Sequence, residues 1–127
     1  MKFTFQETLD RGEASAYLAA FFGPGFAAVP PFFLADILRT DGRARAGLGA
    51  NGGFRDEVAV VRDLDVPLAV LHGADEQLVN GRYLASLRMP TLWRGAVQTI
   101  PGAGYAPQWE TPEAFDALIE AFVAETM

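Results

Sequence analysis

The residues best suited to acid–base chemistry are two adjacent carboxylates, Asp75 and Glu76. They follow the apolar run Val66-Pro67-Leu68-Ala69-Val70-Leu71 and the short link His72-Gly73-Ala74. A carboxylate at the end of a strand can orient a base or hold a proton, and it can equally cap a following helix or face water. His72 is the only histidine, and a structural hydrogen bond at the strand end is its default use. Tyr105 lies in the loop Gly102-Ala103-Gly104-Tyr105-Ala106. A phenol ordinarily keeps its proton at neutral pH. Tyr105 can donate a hydrogen bond to a ligand or to Glu76, or it can pack on Trp109 and the N-terminal helices. Packing is the simpler reading.

Hydroxyl nucleophiles are scarce. Ser15 and Ser86 are the only serines, in Gly12-Glu13-Ala14-Ser15-Ala16 and Leu84-Ala85-Ser86-Leu87-Arg88. Both stretches read as helix, and neither is the sharp Gly-x-Ser-x-Gly turn that exposes a nucleophile. Gly47-Leu48-Gly49-Ala50-Asn51-Gly52 has G-x-G-x-x-G spacing. It follows an Arg- and Ala-rich stretch instead of a strand, so it reads as a loop and not as a phosphate cradle. One histidine and no cysteine leave no transition-metal set. A Mg²⁺ or Ca²⁺ site at Asp75 and Glu76 has no further support. No metal and no cofactor are expected.

The elements that must position these groups divide near residue 65. Residues 1–64 read as helices broken by Gly and Pro: Glu13 to Phe22, then a helix opened by Pro30-Pro31, then Arg55 to Leu64. Glycines at 42 and 47–53 interrupt between the last two. Phe21, Phe22, Phe26, Phe32 and Phe33 cluster here. They suit a core or interface, and they would also suit the apolar wall of a pocket for a small apolar ligand. Residues 65–127 alternate. Val66 to Leu71 reads as a strand buried on both faces, Gly81 to Arg88 as a short helix, and Ala96 to Ile100 as a second strand. A final helix starts at Thr111-Pro112, with Thr111 as its cap. Phe115, Leu118, Ile119, Phe122 and Val123 form its core-facing stripe. Strand, helix, strand, helix implies two parallel strands in an α/β arrangement. Two such strands leave unpaired edges, which predicts a homo-oligomer or a complementing chain joined by strand pairing.

Composition narrows the function classes. The 127 residues are 50% hydrophobic with a net charge of −6, which suits a folded domain and disfavours nucleic acid. The N-terminus meets acidic residues too early for a signal peptide, and no apolar run is long enough for a membrane span. A cytoplasmic protein is the default expectation.

Two stretches together resemble the C-terminal half of an α/β-hydrolase. Val66 to Glu76 is similar to the family's penultimate strand and acid loop, in which an acid commonly follows the strand-ending glycine by three residues. Glu76 has that spacing from Gly73, and Asp75 is one residue early. Ile100-Pro101-Gly102-Ala103-Gly104-Tyr105-Ala106-Pro107-Gln108-Trp109-Glu110-Thr111-Pro112 resembles the loop that carries the catalytic histidine, with Tyr105 at the histidine position. The resemblance implies a partial α/β-hydrolase fold, with residues 1–64 as a helical cap-like segment and 65–127 as a βαβα portion of the core. It also implies descent from enzymes that cleave ester or amide-type bonds. No nucleophile elbow is present, and a phenol replaces the base. Triad hydrolysis by this chain alone is therefore not expected. The alternative is a non-catalytic module that binds a ligand in the old pocket or associates with itself.

Overall fold

The computed structural model describes residues 6–50 and 56–127, with side chains at 48–50 left aside. Four helices come first: α1 (Arg11–Ala19), α2 (Pro31–Arg39), α3 (Gly42–Ala50) and α4 (Glu57–Arg62). Then follow β1 (Leu71–Gly73), α5 (Gly81–Ser86), a 3₁₀ turn (Trp93–Gly95), β2 (Gln98–Ile100), α6 (Pro107–Glu110) and α7 (Pro112–Thr126).

Local chemistry explains most boundaries. Asp10 opens α1 with a reciprocal cap: its side chain accepts from the Glu13 amide, and the Glu13 carboxylate accepts from the Asp10 amide. The helix thus starts two residues before the expected Glu13 and ends at Ala19. Pro31 sits at the first position of α2, where its missing N–H costs nothing. Helix α3 runs through Gly42 and Gly47, where interruptions were expected, and Asn51 and Gly52 lie outside the described residues. Asp56 caps α4 and Asn80 caps α5, each through a side-chain oxygen that accepts a backbone amide.

The sheet is parallel, in register Leu71↔Gln98, His72↔Thr99 and Gly73↔Ile100. The strand expected over 66–71 is thus shifted to 71–73. Upstream, only Leu68 bridges, to Leu92. The Trp93 amide donates to Leu68 O at 2.7 Å and the Leu68 amide to Thr91 O at 3.1 Å. Val66 is 54% exposed, so the run is not covered on both faces.

Among the described residues the core is small: Ala14, Phe22, Trp93, Ile100, Ala103 and Ala106 are buried. Helix α7 has no fully buried residue. Ile119 and Val123, expected on its core face, are 39% and 40% exposed. Two short strands are too narrow to cover the full apolar stripe of a 15-residue helix. Thr111 also departs from expectation, since its side chain caps nothing in α7. Its Oγ1 instead donates to Pro107 O, in the preceding turn α6.

The C-terminal end of α7 is fastened to the 3₁₀ turn. Arg94 occupies the left-handed region at φ 57°, a conformation that costs a side-chain-bearing residue roughly 1–2 kcal/mol. Its guanidinium lies 4.2 Å from the Trp93 ring centre and donates to both Glu125 oxygens, and the Trp93 indole N–H donates to Glu125 at 2.7 Å. The Arg94 guanidinium first, and the Trp93 indole second, hold the Glu125 carboxyl below the usual glutamate range. A carboxyl depressed in the folded state contributes stability above its unfolded value and loses it as pH falls through the folded value. On acidification, Trp93 fluorescence in a Trp109→Phe background is therefore expected to change with a midpoint below about 4.3, the ordinary glutamate value. Glu125→Gln should abolish that transition. A midpoint at or above the ordinary value contradicts the assignment.

Candidate functional site

The site is organised by three glycines that let three backbones touch. A Cβ on Gly73, at the end of β1, would fall 2.0 Å from Gly104 O and 2.2 Å from Ala103 O. A Cβ on Gly104 would fall 2.5 Å from the Gly23 nitrogen and 2.6 Å from the Phe22 carbonyl carbon. Gly23 in turn faces the Glu110 carboxylate and the Cβ of Asp75. The end of β1, the 102–105 loop and the exit of α1 are thus stacked without side chains between them. Hydrogen bonds hold the stack. The Ala74 amide donates to Ile100 O and the Asp75 amide to Ala103 O, each at 2.9 Å. Gln77 Nε2 donates to Phe22 O at 2.9 Å.

Glu110 ties the stack together. Its Oε1 accepts from the Gly23 amide, and its Oε2 accepts from the Gly104 amide at 2.7 Å. One carboxylate therefore bridges the helical segment and the C-terminal loop. Sequence reasoning missed it, because partners that are backbone amides leave no signature of residue type.

Each residue singled out in the sequence has a defined place. Glu76 is half-buried, and its Oε1 accepts from the Leu78 and Val79 amides. It caps the turn that follows β1. Asp75 is exposed, and its backbone, not its carboxylate, supplies its contact with the 102–105 loop. Tyr105 is 47% exposed and packs edge-to-face on Phe21, with ring centres 5.2 Å apart. Trp109 packs instead on Phe33 and Phe32. His72 Nε2 lies 3.3 Å from Val79 O, the structural bond expected of it. Ser15 Oγ donates to Arg11 O and Ser86 Oγ to Tyr83 O. Both serines are on helices, α1 and α5, with their hydroxyls turned to the helix backbone. No cluster of three or more His, Asp or Glu among the described residues is arranged to hold a metal. No helix among them is long and apolar enough to cross a membrane.

Two cavities flank Tyr105. The first, about 420 Å³, lies between α1, α2 and the 105–109 segment. Tyr17, Leu18, Phe21, Phe22, Phe33, Ile37 and Trp109 make its wall chiefly aromatic, with Thr40, Arg45 and Gln108 as polar exceptions. Of the phenylalanine cluster, Phe26 and Phe32 stand behind this wall, against Phe22 and Phe33. The second cavity, about 320 Å³, brings Glu76, His72 and Tyr105 together with Leu71, Val79, Leu84 and Phe115. Tyr105 and Gln108 line both. Asp75 lines neither.

No family model matches the chain, and neither does any curated protein. Solved structures do. A crystal structure of a serine-to-glycine mutant of the N-acyl homoserine lactonase AidH, complexed with N-hexanoyl homoserine lactone, superposes with a TM-score of 0.88 at 27% identity. The match covers 100% of this chain and 47% of the lactonase. Carboxylesterase CesB from Bacillus subtilis matches with a TM-score of 0.75 at 16% identity, over 99% of this chain and 45% of its own. The serine hydrolase CarC, involved in carbazole degradation, matches at 0.71 and 17%, over 91% and 47%. The last two likenesses speak to fold alone. The chain thus spans about half the length of the enzymes it is similar to. It has the fold of part of an α/β-hydrolase.

Proposed function

We propose that this partial α/β-hydrolase chain holds an acyl-type ligand, with the acyl chain in the aromatic chamber and an ester or lactone head in the smaller cavity beside Tyr105 and Glu76. Residues 1–64 are then the cap-like segment and 65–127 the core portion. The observation that carries the reading is the shared wall: Tyr105 lines both cavities, and Glu76 lines the smaller one. The likeness to a lactonase complexed with N-hexanoyl homoserine lactone supports the same ligand class.

By itself the chain does not perform triad hydrolysis. Glu76 holds the acid position, with Asp75 one residue early, and Tyr105 holds the position of the base. A general base must accept the nucleophile's proton near neutral pH, and a phenol with an ordinary pKa of about 10 is already protonated there. One Glu76 oxygen, Oε1, is engaged by two backbone amides. Both serine hydroxyls bond their own helices. The family's ester- or amide-cleaving chemistry would require a serine elbow from outside these 127 residues.

Titration with N-hexanoyl homoserine lactone should quench Trp109 fluorescence saturably. Neither the unmodified chain nor Tyr105→His should hydrolyse the lactone above the buffer rate. Turnover by the unmodified chain sinks the inactive reading, and absence of saturable binding sinks the ligand reading. A second reading, self-association at the free sheet edge, is favoured by the exposed Val66 beside a two-stranded sheet. Sedimentation as a monomer at every concentration would remove it.

A further inference from the structure

Among the described residues one charged side chain lines the aromatic chamber, and the nearby Asp41 carboxylate is already held by Arg43. Arg45 is that residue, and no described Asp or Glu lines the chamber. Arg39, Arg43, Arg62 and Arg94 each pair with a carboxylate, whereas Arg45 has no ion pair among the described residues. The half-buried guanidinium instead donates to three neutral carbonyls. Nε reaches Gln6 O at 3.3 Å, Nη1 reaches Ile37 O at 3.4 Å, and Nη2 reaches Glu7 O at 3.4 Å. These bonds are long; a guanidinium–carboxylate bond normally closes to about 2.7–2.9 Å. A guanidinium has five N–H donors, so two remain beyond those three bonds. The carbonyls fix the position of the group without neutralising it. On a largely apolar wall its charge is poorly screened, so an anion brought there gains more than it would in water.

We infer that Arg45 makes this chamber selective for an acyl chain that bears a carboxylate, with the chain among the rings of Phe21, Phe33 and Trp109 and the carboxylate on the guanidinium. A free fatty acid of medium length is the simplest such ligand. The inference rests on the chamber being a ligand site. It adds the charge of the preferred ligand, which a neutral ester or lactone lacks.

The test compares octanoate, methyl octanoate and 1-octanol by Trp109 fluorescence titration at neutral pH. Octanoate should bind about tenfold more tightly than methyl octanoate, since a hydrogen bond to a charged group contributes roughly 1.5–3 kcal/mol. Raising the salt concentration should weaken octanoate alone. Arg45→Met should equalise the three ligands, and Arg45→Lys should keep part of the preference. If Arg45→Met fails to fold, the selectivity and salt response of the unmodified protein still decide. Methyl octanoate binding as tightly as octanoate overturns the inference and leaves the chamber standing as a ligand site. Failure of all three ligands to bind overturns both. Selectivity that survives in Arg45→Met also overturns it.

Discussion

Gly73→Ala is expected to abolish folding. The added methyl would lie 2.0 Å from one carbonyl oxygen, 2.2 Å from another and 2.7 Å from the Ala103 carbonyl carbon. All three atoms are backbone, so no side chain can swing aside. Relief requires the end of β1 to part from the 102–105 loop. That movement would break the Ala74 and Asp75 amide bonds, which close the stack. Overpacking of a well-fitted interior commonly costs about 1–3 kcal/mol, and clashes this short lie beyond that range. A typical domain has only about 5–15 kcal/mol in total, and so small a buried core leaves little reserve. Gly25→Ala is the control. Its φ is +89°, but open space surrounds it, so only backbone strain of about 1 kcal/mol should appear. Urea denaturation followed by circular dichroism distinguishes the two. Equal midpoints would refute the close-approach account.

Glu110→Ala should have the second-largest effect. It strands the part-buried amides of Gly23 and Gly104. With roughly 1.5–3 kcal/mol for each hydrogen bond to a charged group, a loss of about 3 kcal/mol or more is expected. Glu110→Gln should rescue no more than half of it. One glutamine oxygen can still accept, but the NH₂ group that replaces the other would face a second donor. Phe22 and Gly23 would also shift, deforming the aromatic chamber, so lactone binding should weaken together with stability. Glu113→Ala, an exposed neighbour at the start of α7, should change neither. If Glu110→Gln is as stable as the unmodified protein, the carboxylate bridge is not what holds the two segments.

The sequence exposes those parts of the molecule that depend on residue type and local spacing. Pro31 and Pro112 mark the starts of α2 and α7 correctly, because proline at a first helical turn is a local effect. The capping box of α1 is just as local, Asp10 to Glu13, yet the expected helix began only at Glu13 and left the cap unread. The parallel pairing also followed from strand–helix–strand order. What was hidden depends on distant backbone. The Val66 to Leu71 run has the hydrophobicity of a strand, yet apart from the Leu68 bridge continuous pairing begins only at Leu71, where Gln98 arrives. Ile119 and Val123 obey the helical period but lack a sheet wide enough to cover them. Thr111 looked like a cap until α6 placed Pro107 O within its reach. Glu110 is the largest omission, since one partner is 87 positions away and neither is a side chain. Glu76 caps as an acid after a strand can, but it caps the turn beyond β1, and the next helix is capped by Asn80 instead.

The partition formed by Tyr105 and Gln108 has two faces, and this limits how the binding preference can be redesigned. Trimming either side chain enlarges the two spaces at once and brings them toward a single void. A change meant for one ligand moiety would therefore be felt by the other. Independent adjustment is available only from the outer walls, at Ile37 for one space and Leu84 for the other.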